Sequence, residues 1–150
     1  MGVCIIVSKN QTLSVAEAIQ LNPVTLAFLG DATYSLWVRS RLAITGGNKV
    51  SELQKSATAL ESARGQSALL DKIIPLFTQT EEEVFRRGRN AKKATKSKHA
   101  SVGEYNRSTG LEAVIGFLKI TGNDERIDEL LSVIDEQMLL PTQNPTAYKP

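Results

Sequence analysis

A chain of 150 residues, 41% hydrophobic and 23% charged, has room for one domain with a real core and none for a second. Its single cysteine, Cys4, excludes an intramolecular disulfide and fits a reducing compartment. The net charge of +2 is small, yet residues 86–98 carry seven basic side chains and no acid.

Residues 1–13 read as an N-terminal arm. The apolar run at 3–7 is too short for a membrane span or the core of a signal peptide, and Ile6 stands where a myristoylation signal needs Ser or Thr. The expected location is therefore cytoplasmic, with no membrane attachment. Residues 15–19 form a short helical turn ahead of Asn22, an N-cap followed by Pro23 at the first helical position, where a missing N–H costs nothing. The helix that starts there runs to about Ala43 and is closed by Gly46, Gly47 and Asn48. Leu26, Leu29, Ala32, Leu36 and Trp37 recur at helical spacing while Ala27, Phe28 and Val38 fill much of the remaining circumference, so this helix is expected at the centre of the fold. It carries one acid, Asp31. A carboxylate buried there needs a metal, a basic residue or a set of hydrogen bonds.

Ser51 and Gln54 form a capping box for a helix with Leu53, Ala57 and Leu60 on one face. After a break at 62–65, Ala68, Leu69, Ile73, Ile74 and Phe77 continue an apolar stripe interrupted around Pro75. Thr80 and Glu83 make the next box, and the acidic first turn followed by Arg86, Arg87 and Arg89 complements the helix dipole. The basic segment then passes into an exposed loop. Ser101 and Glu104 cap a long helix through Glu112 to Ile120, again apolar with one acid. Ile127, Leu130, Leu131, Ile134 and Met138 stripe a last amphipathic helix, and residues 139–150 read as a disordered tail. No stretch alternates as a strand would, so the fold class is all-α, a helical bundle, with its domain at 14–138.

Small residues accompany both acids. Gly30 adjoins Asp31, Ala113 adjoins Glu112, and Gly116 lies one turn beyond Glu112, so two backbones can approach closely there. Two hard oxygen ligands at such a crossing suit magnesium or manganese. The plain alternatives are an Asp31 satisfied by an arginine or a tyrosine, and a Glu112 that merely completes a capping box with Thr109. A basic run by itself is more often a solvated face than a binding site, but a divalent cation together with basic surface is what phosphodiester hydrolysis needs. His99, the only histidine, has no partners for zinc and reads as a loop residue in reach of phosphate. No nucleophile elbow or phosphate-cradling glycine loop is present.

Three segments in order resemble the Mini-III branch of the ribonuclease III family: Leu26-Ala27-Phe28-Leu29-Gly30-Asp31-Ala32; Glu82 through Arg89, Asn90 and Lys92; and Tyr105-Asn106-Arg107-Ser108-Thr109-Gly110-Leu111-Glu112-Ala113-Val114-Ile115-Gly116. The resemblance implies a ribonuclease III endonuclease-domain bundle, a homodimer that cleaves double-stranded RNA with magnesium, manganese being able to substitute. It makes Asp31 and Glu112 the catalytic, metal-binding acids. Arg86, Arg87, Arg89, Asn90, Lys92, Lys93, Lys96 and Lys98 become the RNA-binding set, and Phe28 falls at the dimer interface. The implied natural substrate is a precursor of large-subunit ribosomal RNA. Ordinary ribonuclease III enzymes carry two further acids where this chain has Ala27 and Thr109, so water has more of the coordination sphere to fill. A non-catalytic RNA-binding relative of the same fold, acting in ribosome assembly or as an RNA scaffold, is the alternative. A helical module binding an acidic partner is a third.

Overall fold

The computed structural model describes residues 11–45, 49–92 and 100–139. Expectations for the rest of the arm, the basic loop at 93–99 and the tail from 140 lie outside the described residues. Those residues form helices α1 (Val15–Ala18), α2 (Pro23–Thr45), α3 (Val50–Glu61), α4 (Ala63–Ile73), α5 (Gln79–Asn90), α6 (Val102–Ile120), α7 (Asp124–Leu131) and α8 (Glu136–Leu139). A 3-10 turn at Ile74–Leu76 places Pro75 where a longer helix would break, and no strand occurs among the described residues.

Local capping sets most of the starts. Ser14 with Glu17 and Ser101 with Glu104 form complete capping boxes for α1 and α6. The Asn22 side chain accepts from the Val24 N–H at 2.8 Å, and Ser62 ends α3 while accepting from the Gly65 N–H to open α4. Two expected starts move. α5 opens from Thr78 with Glu81, not from Thr80 with Glu83, and α3 opens at Val50 behind Lys49, without a side-chain cap. The helix expected to run through 138 is broken: α7 stops at Leu131, and Asp135 accepts from the Met138 N–H at 3.0 Å at the start of α8. Ile134 and Leu139 are nonetheless buried, so the stripe reaches the core across the break.

The centre is α6, not α2. From residue 108 to 118 every residue of α6 is buried except Glu112, which is half-buried, and α2, α4 and α5 pack around it. α2 lies on it by one face, burying Leu26, Ala27, Gly30, Tyr34, Val38 and Leu42. Three further apolar residues stay outside: Phe28 is 82% exposed, Leu36 69% and Ile44 79%. Away from the crossing, Arg126 ties α7 to α5. Its guanidinium donates to the buried Glu81 carboxylate at 2.9 Å, to Glu129 at 2.9 Å and to the Leu76 carbonyl at 2.6 Å. The Leu13 N–H donates to the Ile120 carbonyl at 2.9 Å, fixing the end of the arm. No helix among the described residues is long and apolar enough to cross a membrane.

Candidate active site

Both acids belong to the crossing of α2 and α6: the backbone of Glu112 touches Gly30, the neighbour of Asp31. A methyl group on Gly30 would overlap the carbonyl of Glu112, and one on Gly116 would overlap that of Leu26, so the backbones touch with no side chain between them. Asp31 is the next residue after that contact. It is exposed rather than buried, because the face of α2 that meets α6 runs through Leu26, Gly30, Tyr34 and Val38 and leaves Asp31 at its margin. Its charge therefore keeps its hydration and has no burial cost to offset.

Glu112 is half-buried and held. Its Oε1 accepts from Nε2 of Gln66 at 3.1 Å, and Gln66 Nε2 also donates to the carbonyl of Glu61 at 3.1 Å. Tyr34, one turn beyond Gly30 on the buried face of α2, donates its hydroxyl to the Leu60 carbonyl at 2.7 Å. Burial first, and then the charges of Glu61 and Glu112, push the Tyr34 phenol well above its ordinary pKa, so it remains a proton donor. Thr109 is buried in mid-α6 with its hydroxyl donating to the Tyr105 carbonyl at 3.0 Å, so it caps nothing for Glu112. Ala27 is buried as well.

Among the described residues no three His, Cys, Asp or Glu side chains gather as a ready-made metal cage. Two carboxylates at a solvent-facing crossing still fit magnesium, which keeps several waters and takes one or two carboxylates together with substrate phosphate oxygens.

The basic end of α5 lies alongside. Gly88 packs on Ala113, the neighbour of Glu112. Arg86, Arg89, Asn90 and Lys92 are exposed. Arg89 donates Nε to Asn90 Oδ1 at 3.2 Å, lies 5.7 Å over the Phe85 ring, and lines with Asn90, Asn106 and Arg107 a polar hollow of about 290 Å³. Arg87 stands apart from these exposed neighbours. It is half-buried, donating to the carbonyls of Ile19 at 2.7 Å and Leu21 at 3.5 Å, and so clamps the α1–α2 connection onto α5. Lys93, Lys96, Lys98 and His99 lie outside the described residues. The sequence reading passed over Gln66, although a signal existed: it holds the first place of the α4 core stripe continued by Leu69, Leu70 and Ile73.

Residues 24–123 match the ribonuclease III domain. The chain belongs to the ribonuclease III family. It is 42% identical over 119 residues to the Mini-ribonuclease 3 of Symbiobacterium thermophilum, covering 79% of this chain and 92% of that one. To the Mini-ribonuclease 3 of Streptococcus pneumoniae it is 42% identical over 114 residues, covering 75% and 89%. A Fusobacterium nucleatum protein of known crystal structure shares the fold with a TM-score of 0.72 at 30% identity, over 77% of this chain and 93% of that one. As a member of the ribonuclease III family, of the Mini-III type, the chain is an endoribonuclease, and its all-α architecture is that of the family.

Proposed function

We propose that this endoribonuclease cleaves double-stranded RNA as a two-fold homodimer, with Asp31 and Glu112 of each protomer holding magnesium, in the maturation of large-subunit ribosomal RNA precursor in the cytoplasm. The observation that supports the reading is the side-chain-free crossing of α2 and α6, where the backbone of Glu112 lies against Gly30, the residue before the exposed Asp31. A divalent cation bound there supplies charge neutralisation at phosphorus and a water of lowered pKa. Asp31 and Glu112 orient the site, and Gln66 and the backbone contact keep it from shifting. Attack of water on phosphorus with departure of the 3′ oxygen leaves 5′-phosphate and 3′-hydroxyl ends. Arg86, Arg89, Asn90 and Lys92, with Lys93, Lys96 and Lys98 beyond them in sequence, bind the phosphate backbone. Recognition then rests on A-form shape and 2′-hydroxyls, since the deep groove of duplex RNA admits no side chains.

Phe28 supports the dimer. It is exposed on the outer face of α2 one turn before Asp31, so a second copy seated on that face lies beside the acids and sets two sites along one duplex. The test is incubation of the purified protein with a long RNA duplex, with magnesium and with chelator. Magnesium-dependent cleavage to 5′-phosphate ends is expected. Tight duplex binding without cleavage in magnesium would instead make the chain a non-catalytic RNA-binding relative.

A further inference from the structure

Gln66 sits where helix α4 has every reason to be apolar. The face it shares with Leu69, Leu70 and Ile73 is core, and Gln66 itself is only 1% exposed. Its Oε1 is buried and finds no hydrogen-bond partner among the described residues, so the amide lowers stability relative to an apolar side chain of like size. A local rule broken at a stability cost calls for a gain elsewhere. Here the gain lies on the other end of the amide, where Nε2 is shared between the Glu61 carbonyl and Glu112 Oε1. Both partners only accept. Turning the amide over would set an oxygen against a carbonyl and a carboxylate, so the surroundings dictate its orientation. The Glu61 carbonyl is itself well placed, as the last residue of α3 before Ser62, which caps both α3 and α4.

We propose that Gln66 is a positioning residue for the endonuclease site: its amide fixes the plane of the Glu112 carboxylate and so sets how Glu112 faces a divalent cation shared with Asp31. This rests on the reading of Glu112 as a cation ligand given above. Groups that orient a ligating carboxylate typically contribute about 10–100-fold to metal affinity or activity when removed.

Manganese binding to the full-length protein, followed by the paramagnetic signal of the free ion, tests the role apart from turnover. Gln66→Met keeps the volume and removes the donor. It is expected to weaken manganese binding about 10-fold and lower kcat by a similar factor, with KM for duplex RNA within about twofold of wild type. In a Glu112→Gln background the same substitution is expected to add no further loss of affinity, because the carboxylate it positions is gone. Gln66→Asn, which keeps the amide but withdraws it by one methylene, is expected to show the same loss and serves if the methionine variant does not fold. A folded variant of either kind that binds manganese within twofold of a manganese-binding wild type overturns the positioning role alone. A wild type that binds no manganese overturns the cation reading of Glu112 beneath it.

Discussion

The two acids proposed as cation ligands at the α2–α6 crossing are held differently. Asp31 is exposed and stands on the helix backbone next to a contact point. Glu112 is half-buried and anchored by an amide. Asp31→Asn and Glu112→Gln each remove charge at nearly constant volume. Each is expected to cut single-turnover cleavage by on the order of 10²–10³-fold, the scale of losing one preorganised electrostatic contact in a transition state. Duplex binding and melting temperature should change little, and a folded variant with near wild-type turnover would remove that residue from the site. Tyr34 gives a separate test at this scale. Its pKa is raised in the folded protein above the ordinary value of 10.0, so as pH climbs past that value the unfolded chain loses its proton first. The contribution to stability is complete below the unfolded pKa and declines above it. Tyr34→Phe loses the hydrogen bond to the Leu60 carbonyl, at a cost of roughly 1–2 kcal/mol near neutrality. Urea titrations should find the gap between the two proteins narrowing above the ordinary tyrosine pKa.

At the scale of the helices, the crossing depends on an absence. Alanine is favoured over glycine in a helix interior by about 1 kcal/mol, so Gly30→Ala would stabilise α2 in isolation. In the protein its methyl meets the Glu112 carbonyl, and the overpacking cost of about 3 kcal/mol wins. Denaturant melts should show a net loss of roughly 2 kcal/mol, with activity falling further because Asp31 and Glu112 are pushed apart. The arginines of α5 divide in the same fashion. Arg87→Ala removes charged hydrogen bonds to two carbonyls and should cost about 1.5–3 kcal/mol of stability while leaving the salt dependence of RNA binding intact. Arg86→Ala and Arg89→Ala should do the reverse, preserving stability and each lowering the salt slope by about 1. Equal slopes for all three variants would return the end of α5 to an ordinary solvated face.

For the whole molecule the most exposed apolar surface is the outward side of α2. Phe28, Leu36 and Ile44 stand out of the domain because α6 offers α2 only one face to lie on. Burying a phenylalanine against a second copy is worth about 1.5–3 kcal/mol per side chain, and a two-fold axis counts it twice. Phe28→Asp replaces that gain with two like charges brought together out of water. Light scattering is expected to give a dimer for the wild type and a monomer for the variant, with double-strand cleavage lost although Asp31 and Glu112 are untouched. A monomeric wild type at micromolar concentration, or an active dimeric variant, would refute the arrangement.

Capping chemistry is local, and so the all-helical class, the starts at Ser14, Asn22 and Ser101, and the close approach permitted by Gly30 and Gly116 were all legible from neighbouring residues. Where two caps compete within a few residues, tertiary contacts choose. Starting α5 at Thr78 makes Glu81 the reciprocal partner of the cap, and the same carboxylate is buried against Arg126 from α7, 45 residues away. Which of two apolar helices is central could not be read from hydrophobicity, because both are apolar; only the packing of α2, α4 and α5 around one axis made it α6. The parting of Arg87 from Arg89, and the choice of Gln66 to hold Glu112, are of the same kind. Each depends on a carbonyl or carboxylate brought from more than 40 residues away, and a hydrogen bond acts only over the last 3 Å.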